Sequence, residues 1–486
     1  MKARVRMYRP GLGDCFLLTF WEDAHADPRH VMVDCGVLVG TKDGAKKLRA
    51  AVAHVKEETG HLDAIVATHE HWDHVSGFVQ ARELFDELDV REVWLGWTED
   101  PKGERARALR EDRALRLTGL RAAEASWSAL AAASGSKAVR SGEPLDVTRS
   151  VLSFFGDEPT GAGGALAATG GGTDDAWRYL VKERAGCKRR FLEPGDTFAL
   201  HGTKGVRVFV LGPPRAEGLL RRSDPSTRDP ETYQGRGHRL SACHGLLAAT
   251  QRLAQPRDEA SAPRDGDPFD ARHRIEPAEA EHDGGFFEQR YFASTDAWRR
   301  IDHDWLEPLG DLALDLDSDT NNTSLVLAFE LGDGGDVILM AGDAQVGSWL
   351  SWSSVKFRYQ VDGERRRVTA EELLSRVVLY KVGHHGSHNA TLAKGGLEAM
   401  THEGLVAMIP VDEAMARDKK KWDMPFPPLL RRLREKTRGR ILRSDEGLPD
   451  AAALRRLEEE EREAFRACTR EEELFVEIEL HAEHHR

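Results

Sequence analysis

The sequence predicts an α/β fold, and three observations carry that expectation: short strand-like apolar runs, helical periodicity between them, and His/Asp-rich segments placed directly after the strands. The chain opens strand, strand, strand, helix, strand. Val5 to Tyr8, Cys15 to Phe20 and His30 to Asp34 are β-like, Leu48, Val52 and Val55 mark one helical face, and Leu62 to Thr68 suits a buried strand.

Further along, the text from Pro101 to about Ala133 is rich in Arg, Ala and Leu with helical periodicity. Gly161 to Gly172 reads as a flexible loop, and it lacks the Lys-Ser/Thr pair of a P-loop. Strand character returns at Gly195-Asp196-Thr197 and at Val206 to Leu211. From Pro213 to about Asp317 lies a polar insertion with one helix candidate, Leu240 to Leu253, which reads as a cap over a cleft or an excursion without regular structure. Its Trp298 and Trp305 suggest an end packed on the body, and its histidines His238, His244, His273, His282 and His303 are each read as surface or core residues rather than ligands. Thr369-x-x-Glu372 is a capping box opening a short helix before the β-branched run Val377 to Val382. Met424-Pro425-Phe426-Pro427-Pro428 predicts a rigid loop. Glu458 to Glu463 and Glu471 to Glu473 are assigned to an acidic helix, and Phe475 to Leu480 alternates like a closing edge strand.

The chemistry concentrates in Thr68-His69-Glu70-His71-Trp72-Asp73-His74, which spaces three imidazoles and a carboxylate as H-x-H-x-D-H just after a strand. Side chains two apart on extended backbone share a face, so His69 and His71 can grip one ion. Beyond the following turn, Asp73 and His74 can address a second. Imidazole suits zinc, iron and manganese, and a carboxylate can accept or bridge.

This motif resembles the signature of the metallo-β-lactamase superfamily, and its other parts occur in order: Val31-Met32-Val33-Asp34-Cys35-Gly36, then Asp336 to Asp343, then Gly383-His384-His385-Gly386-Ser387-His388. Gly11-Leu12-Gly13-Asp14-Cys15-Phe16-Leu17-Leu18, Asn321-Asn322-Thr323-Ser324-Leu325-Val326-Leu327 and Lys381-x-x-His-His-Gly-Ser are together similar to the soluble hydrolase domain of ComEC/Rec2-type competence proteins. The resemblance covers about residues 1 to 98, 190 to 214 and 318 to 446. It implies an αββα sandwich with two large insertions, about 101–190 (helical) and about 215–317 (polar), and an acidic extension over 447–486. It also implies Zn2+ as cofactor, one or two ions, with Mn2+ the alternative. His69 and His71 would hold the first ion, Asp73, His74 and His385 the second, and Asp343 would bridge. Asp34 would brace the metal loops, Asp73 would also orient the nucleophilic hydroxide, and His384 would contact the substrate anion or protonate the leaving group. Ser387, His388 and Asn389 are read equally as phosphate contacts or as loop-fixing groups. Where family members carry a further first-site histidine, this chain has Asp319-Thr320-Asn321-Asn322-Thr323, leaving Asp319, a water or an insertion histidine to complete that site.

Composition narrows the partners. The chain has 486 residues, a formal net charge of −13 and 31% charged residues, which disfavours general adhesion to nucleic acid. The densest basic stretch is Arg417, Lys419, Lys420 and Lys421, followed by Arg431, Arg432, Arg434, Lys436, Arg438 and Arg440. It reads first as the exposed face of an amphipathic helix with Leu429, Leu430 and Leu433 inward, and second as a local nucleic-acid track. Five scattered cysteines without a C-x-x-C pair point to a reducing compartment, and neither a membrane span nor a secretory signal is visible, so a cytoplasmic location is expected and DNA import is not. The expected function is hydrolysis by a metal-bound hydroxide, of a phosphodiester in nucleic acid or a nucleotide. Hydrolysis of a small ester, lactone or thioester is the alternative, and a non-catalytic metal-binding interaction protein is the reading from another class.

Overall fold

Strands buried on both faces read as continuous apolar runs, because alternate side chains enter different cores. The computed structural model of the chain describes residues 1–23, 25–134, 143–157, 172–222, 282, 284–293, 307–361 and 363–481. Its larger sheet contains β1 (Lys2–Tyr8), β2 (Cys15–Trp21), β3 (Arg29–Cys35), β4 (His61–Val66), β5 (Asp89–Gly96), β6 (Lys188–Leu192), β16 (Thr469–Glu471) and β17 (Phe475–His481), in the order β16-β17-β1-β2-β3-β4-β5-β6. The second sheet contains β7 (Thr197–Ala199), β8 (Val206–Gly212), β9 (Val326–Leu331), β10 (Asp336–Met340), β13 (Val377–Lys381), β14 (Val406–Ile409) and β15 (Ile441–Arg443), in the order β15-β14-β13-β10-β9-β8-β7. A separate hairpin pairs β11 (Lys356–Val361) with β12 (Glu364–Thr369).

Both sheets are mixed. β3 through β6 run parallel, as do β10, β13, β14 and β15, while the remaining neighbours are antiparallel. Val31, Val33, Ala64 and Val66 of the larger sheet meet Phe329, Ile338, Met340 and Leu379 of the second in the central core. On the larger sheet's outer face, Met32, Ile65 and Val93 pack under Leu48, Val52 and Val55 of the helix Gly44–Thr59. On the other outer face, Val337, Leu339 and Tyr380 pack under Trp349, Trp352, Leu373, Leu429 and Leu433. The result is an α/β sandwich with helices outside two facing sheets.

The helical text after Pro101 forms Glu104–Ser134, followed by Glu143–Leu152. Leu117, Leu120, Leu145 and Leu152 from these helices share a core with Leu309, Leu312 and Leu316 of the helix Glu307–Asn321. The capping box at Thr369 and Glu372 is present, with both reciprocal bonds.

Three expectations change. Phe475–His481 is not an edge: it pairs with β1 on one side and β16 on the other, because the short segment Thr469–Glu471 folds back and takes the edge. The acidic helix is Glu459–Cys468 alone, since Thr469–Glu471 is a strand and Glu472 closes the turn to Phe475. Pro427 and Pro428 belong to the first turn of the helix Pro427–Lys436, where a missing N–H costs nothing, so the rigid loop ends at Phe426. The residues 161–171, the helix candidate Leu240 to Leu253, His238, His244, His273, His303, Trp298, Trp305 and Cys243 lie outside the described residues. The other cysteines, Cys15, Cys35, Cys187 and Cys468, are free. No helix among the described residues is long and apolar enough to cross a membrane.

Phe329, fully buried between the sheets and stacked on Phe20 at 5.6 Å, tests this packing. Phe329→Ala lowers the unfolding free energy by about 3–5 kcal/mol in a denaturant titration, whereas Phe286→Ala, at a residue 62% exposed, shifts it by less than about 0.5 kcal/mol.

Candidate metal centre

Parallel strands end together, and ligands gather beyond their carboxyl ends. Here β3 and β4 of one sheet and β10 and β13 of the other deliver Asp34, Thr68 to His74, Asp343 and His384-His385 to a single edge of the sandwich. Asp34 ties the first two together. Its Oδ1 accepts from the Thr68 backbone N–H at 2.8 Å, and its Oδ2 accepts from Thr68 Oγ1 at 2.7 Å and His74 Nδ1 at 2.8 Å. Gly36 lets that loop approach: a Cβ there would fall 2.3 Å from the Asp73 carbonyl carbon. Asp34, His384 and His385 all sit at positive φ (53°, 44° and 51°), a conformation costly for non-glycine residues and typical of functional sites.

Hydrogen bonds on one ring nitrogen fix what the other can do. His74 uses Nδ1 on Asp34, and His385 uses Nδ1 on the Pro410 carbonyl at 2.6 Å, so both present Nε2 inward. Around these atoms, Asp73 Oδ2 is 2.8 Å from His385 Nε2 and 3.8 Å from His74 Nε2, and Asp343 Oδ2 is 3.1 Å from His74 Nε2 and 3.7 Å from His385 Nε2. His69 Nε2 lies 3.0 Å from His71 Nδ1, while His69 Nδ1 is held by Thr68 Oγ1 at 3.1 Å. All six expected ligands, His69, His71, Asp73, His74, Asp343 and His385, are therefore brought to one buried cluster.

Asp14, His74, Asp343 and His385 form a buried group able to hold a metal ion. Asp14, however, approaches from the Nδ1 side of both imidazoles, at 3.7 Å each, and its Oδ2 is 2.5 Å from Lys381 Nζ. Lys381 also donates to the Gly342 carbonyl at 2.8 Å and Asp343 Oδ1 at 3.1 Å, so one buried ammonium pins two acids.

Electrostatics are dominated by carboxylates. Asp14, Asp34, Asp73 and Asp343 are each no more than 1% exposed, with Lys381 the one lysine among the described residues bound to any of them. Burial opposes a charge on His74 and on His385, yet the surrounding carboxylates, Asp343 foremost, outweigh it and raise both. Burial pushes His71 down to about 3, and it takes His69 well below its ordinary value with help from His74 and His71. Five buried atoms in the cluster, Asp14 Oδ1, His71 Nε2, Asp73 Oδ1, His74 Nε2 and Asp317 Oδ1, have no hydrogen-bond partner among the described residues. Such orphaned atoms call for an ion or water.

Other expected residues take different places. His384 is 6% exposed; its N–H donates to Asp343 Oδ1 at 3.0 Å, its Nδ1 is 3.2 Å from Gln345 Nε2, and burial lowers it to about 4, so its ring enters the site neutral. Ser387 donates to Asn389 Oδ1 at 2.6 Å, which makes both loop-fixing groups. Asp319 turns away to Arg116 at 2.9 Å and Arg221 at 3.7 Å. Asn322 caps the helix Val346–Trp352, accepting from Gln345 N at 3.3 Å and Ser348 N at 3.1 Å, and donates to the Arg222 carbonyl at 2.9 Å. Neither can serve the first site. The acid that reaches it is Asp317, whose Oδ1 lies 3.8 Å from His71 Nε2 while Asn321 holds its Oδ2 at 3.2 Å. Its burial, with Asp73 and Asp343 nearby, raises it well above the usual carboxylate range. Asp14 carried a signal in the Gly-Leu-Gly-Asp turn; Asp317 carried none, because the sequence placed it at the tail of an insertion and not on a helix.

A cavity of about 530 Å3 lies away from this cluster against Arg4, Arg6, His54 and Phe475, and none of the cluster residues lines it. No family model matches the chain, and no curated protein matches it.

An amide at position 34 would offer its N–H2 to two groups that already donate, forcing His74 toward the wrong tautomer. Asp34→Asn therefore weakens divalent-ion affinity about 10–100-fold in a chelator competition, and Asp319→Asn, outside the cluster, leaves it unchanged.

Proposed function

We propose that this protein is a metal-dependent hydrolase of the metallo-β-lactamase kind, acting on phosphodiesters. The observation that carries the reading is the set Asp73 Oδ2, His74 Nε2, Asp343 Oδ2 and His385 Nε2, with neighbouring separations of 2.8, 3.1, 3.7 and 3.8 Å. Four ligands at zinc bond lengths in a tetrahedron stand about 3.3 Å apart. Nitrogen and oxygen donors of this kind fit Zn2+, with Mn2+ as the alternative. This set is preferred over the one with Asp14, whose carboxylate already neutralises Lys381.

When bound, such an ion supplies Lewis acidity, lowering the pKa of a water and polarising the oxygen under attack. The chain's own groups do the rest. Asp73 Oδ1, buried and unpartnered, can accept a proton from the attacking water. Against the burial of Asp343, His74 first and Lys381 next favour its ionised form, and Asp34 holds His74 in the tautomer that presents Nε2. His384, neutral and bonded through Nδ1, can present Nε2 to a substrate oxygen.

The first site is less well furnished. His69 and His71 face each other, but the place of a third histidine is taken by Asn321 and Asn322, of which Asn322 caps a helix and Asn321 holds Asp317. Asp317 Oδ1 stands 3.8 Å from His71 Nε2 with no hydrogen bond between them, so this acid lies beside the ring without fixing it.

Metal analysis of purified protein should give one tightly held divalent ion and a second that dilutes away. The loaded protein should cleave bis-p-nitrophenyl phosphate or single-stranded DNA in preference to a panel of lactones, and a His71→Ala/Asp73→Ala variant should lose that activity by at least about 100-fold. Removing the ion leaves the carboxylates uncompensated, so chelation should lower the melting temperature, by the equivalent of about 4 kcal/mol where free ion stands at 1,000 times its Kd. Protein that holds no metal and a variant equal to wild type on every substrate would refute the reading.

A further inference from the structure

The basic stretch from Arg417 to Arg440 is mostly surface, as its amphipathic spacing implies. Leu429 and Leu433 of the helix Pro427–Lys436 face inward, Arg432 pairs with Glu398 and Glu435, and Arg438 pairs with Glu461. Lys420 breaks the pattern. It ends the short helical turn Met415–Lys420, and its neighbours Lys419 and Lys421 are exposed while its own side chain is turned inward.

What Lys420 meets there is informative. Its Nζ donates to Ser153 Oγ at 2.8 Å, and no carboxylate among the described residues forms an ion pair with it. Ser153 precedes Phe154, whose ring stacks on His71 at 5.2 Å on one side and on Trp422 at 5.0 Å on the other. An aromatic wall thus runs from a first-site histidine to the residue two beyond Lys420, and it places the ammonium on the metal cleft. The negative group Lys420 feels most is Asp73, which burial of the ammonium and the charge on Lys419 oppose; burial brings it down to about 8. A half-buried ammonium whose hydrogen bond goes to a neutral hydroxyl lacks an ion-pair partner among the described residues, and a divalent ion held by Asp73 would take up the one carboxylate whose charge it feels.

We propose that Lys420 is the anion-recognition residue of this cleft, binding a non-reacting oxygen of a phosphoryl group while Phe154 and Trp422 form the apolar wall beside it. The assignment rests on the hydrolase reading for its substrate class. A neutral ester or lactone has no charge to offer there, so Lys420 discriminates phosphodiesters from the other substrates such a metal cleft can hydrolyse. Lysine meets phosphate as a point charge, so arginine can replace it in part.

The test uses the full-length metal-loaded protein with Lys420→Met and Lys420→Arg variants, each checked for metal content. Lys420→Met should raise KM for bis-p-nitrophenyl phosphate at least tenfold with kcat changed less than threefold, leave hydrolysis of p-nitrophenyl acetate unaltered, and weaken inorganic phosphate at least tenfold in calorimetry. Lys420→Arg should recover most of both losses. Equal losses on the charged and the neutral ester, or an unchanged phosphate affinity in Lys420→Met, would overturn the proposal. A wild-type protein that hydrolyses neither ester sinks the hydrolase reading alone, because the phosphate titration still decides what Lys420 does.

Discussion

The hydrogen bonds to Asp34 hold the cluster in register with the fold. This carboxylate ends β3 in a left-handed conformation, takes the Thr68 N–H and hydroxyl at the end of β4, and takes Nδ1 of His74 one turn later. It therefore joins neighbouring parallel strands and sets the tautomer of an inward-facing imidazole at the same time. Everything after Thr68 depends on that tether, because the loop bearing His69 and His71 is too irregular to be positioned by sheet hydrogen bonds. Burying this carboxylate is offset by its three donors, the His74 imidazole among them.

The second constraint is charge balance. Asp14, Asp34, Asp73 and Asp343 are buried together, and Lys381 binds only two of them. Isolated carboxylates cannot be kept ionised in an apolar interior. Raised proton affinity at His74 and His385 is how the side chains by themselves offset the remainder, and a divalent ion at the same atoms does so without protons. The Nε2 atoms that would carry those protons are the atoms that would carry the ion, which is why the two accounts exclude each other at a given moment and why chelation is a sharp probe.

Much of this was legible in the sequence because the strand ends and the ligands coincide. Val31 to Asp34, Leu62 to Thr68 and Val377 to Val382 read as strands, and the side chains just beyond them are those the structure gathers. Pattern fails where a residue's role is decided by its partner. Asp319 and Asp317 are two apart on one helix, yet Arg116 draws the first away and Asn321 turns the second toward His71. Asn321-Asn322 looked like a vacancy in a ligand set; Asn322 is a helix cap and Asn321 is the partner of Asp317. Phe475 to Leu480 looked like an edge because alternation reports faces, not neighbours, and the three-residue strand that covers it is too short to announce itself. Lys420 was one letter in a basic run until its turn placed it inward.

The unequal furnishing of the two proposed metal positions follows from the same geometry. Asp343 and His385 follow the ends of β10 and β13, and His74, on the short helix Trp72–Val75, is tied back to β3 through Asp34, so their placement is set by the most buried part of the molecule. His71 instead leans on Phe154 and Phe155, which arrive on a segment inserted between the β5 and β6 strands, and on Asp317, at the end of a second one. Its ring is packed on two sides by aromatic edges and faces rather than anchored by a hydrogen bond to the sheet. A ligand held by packing has a softer orientation than one held by a carboxylate, and the insertions that do the holding also carry Ser153, the partner of Lys420. Movement of that segment would shift His71 and the partner of Lys420 together while leaving the Asp34-tethered His74 in place, so on the proposed reading substrate recognition and the weaker metal position would be coupled through one stretch of chain.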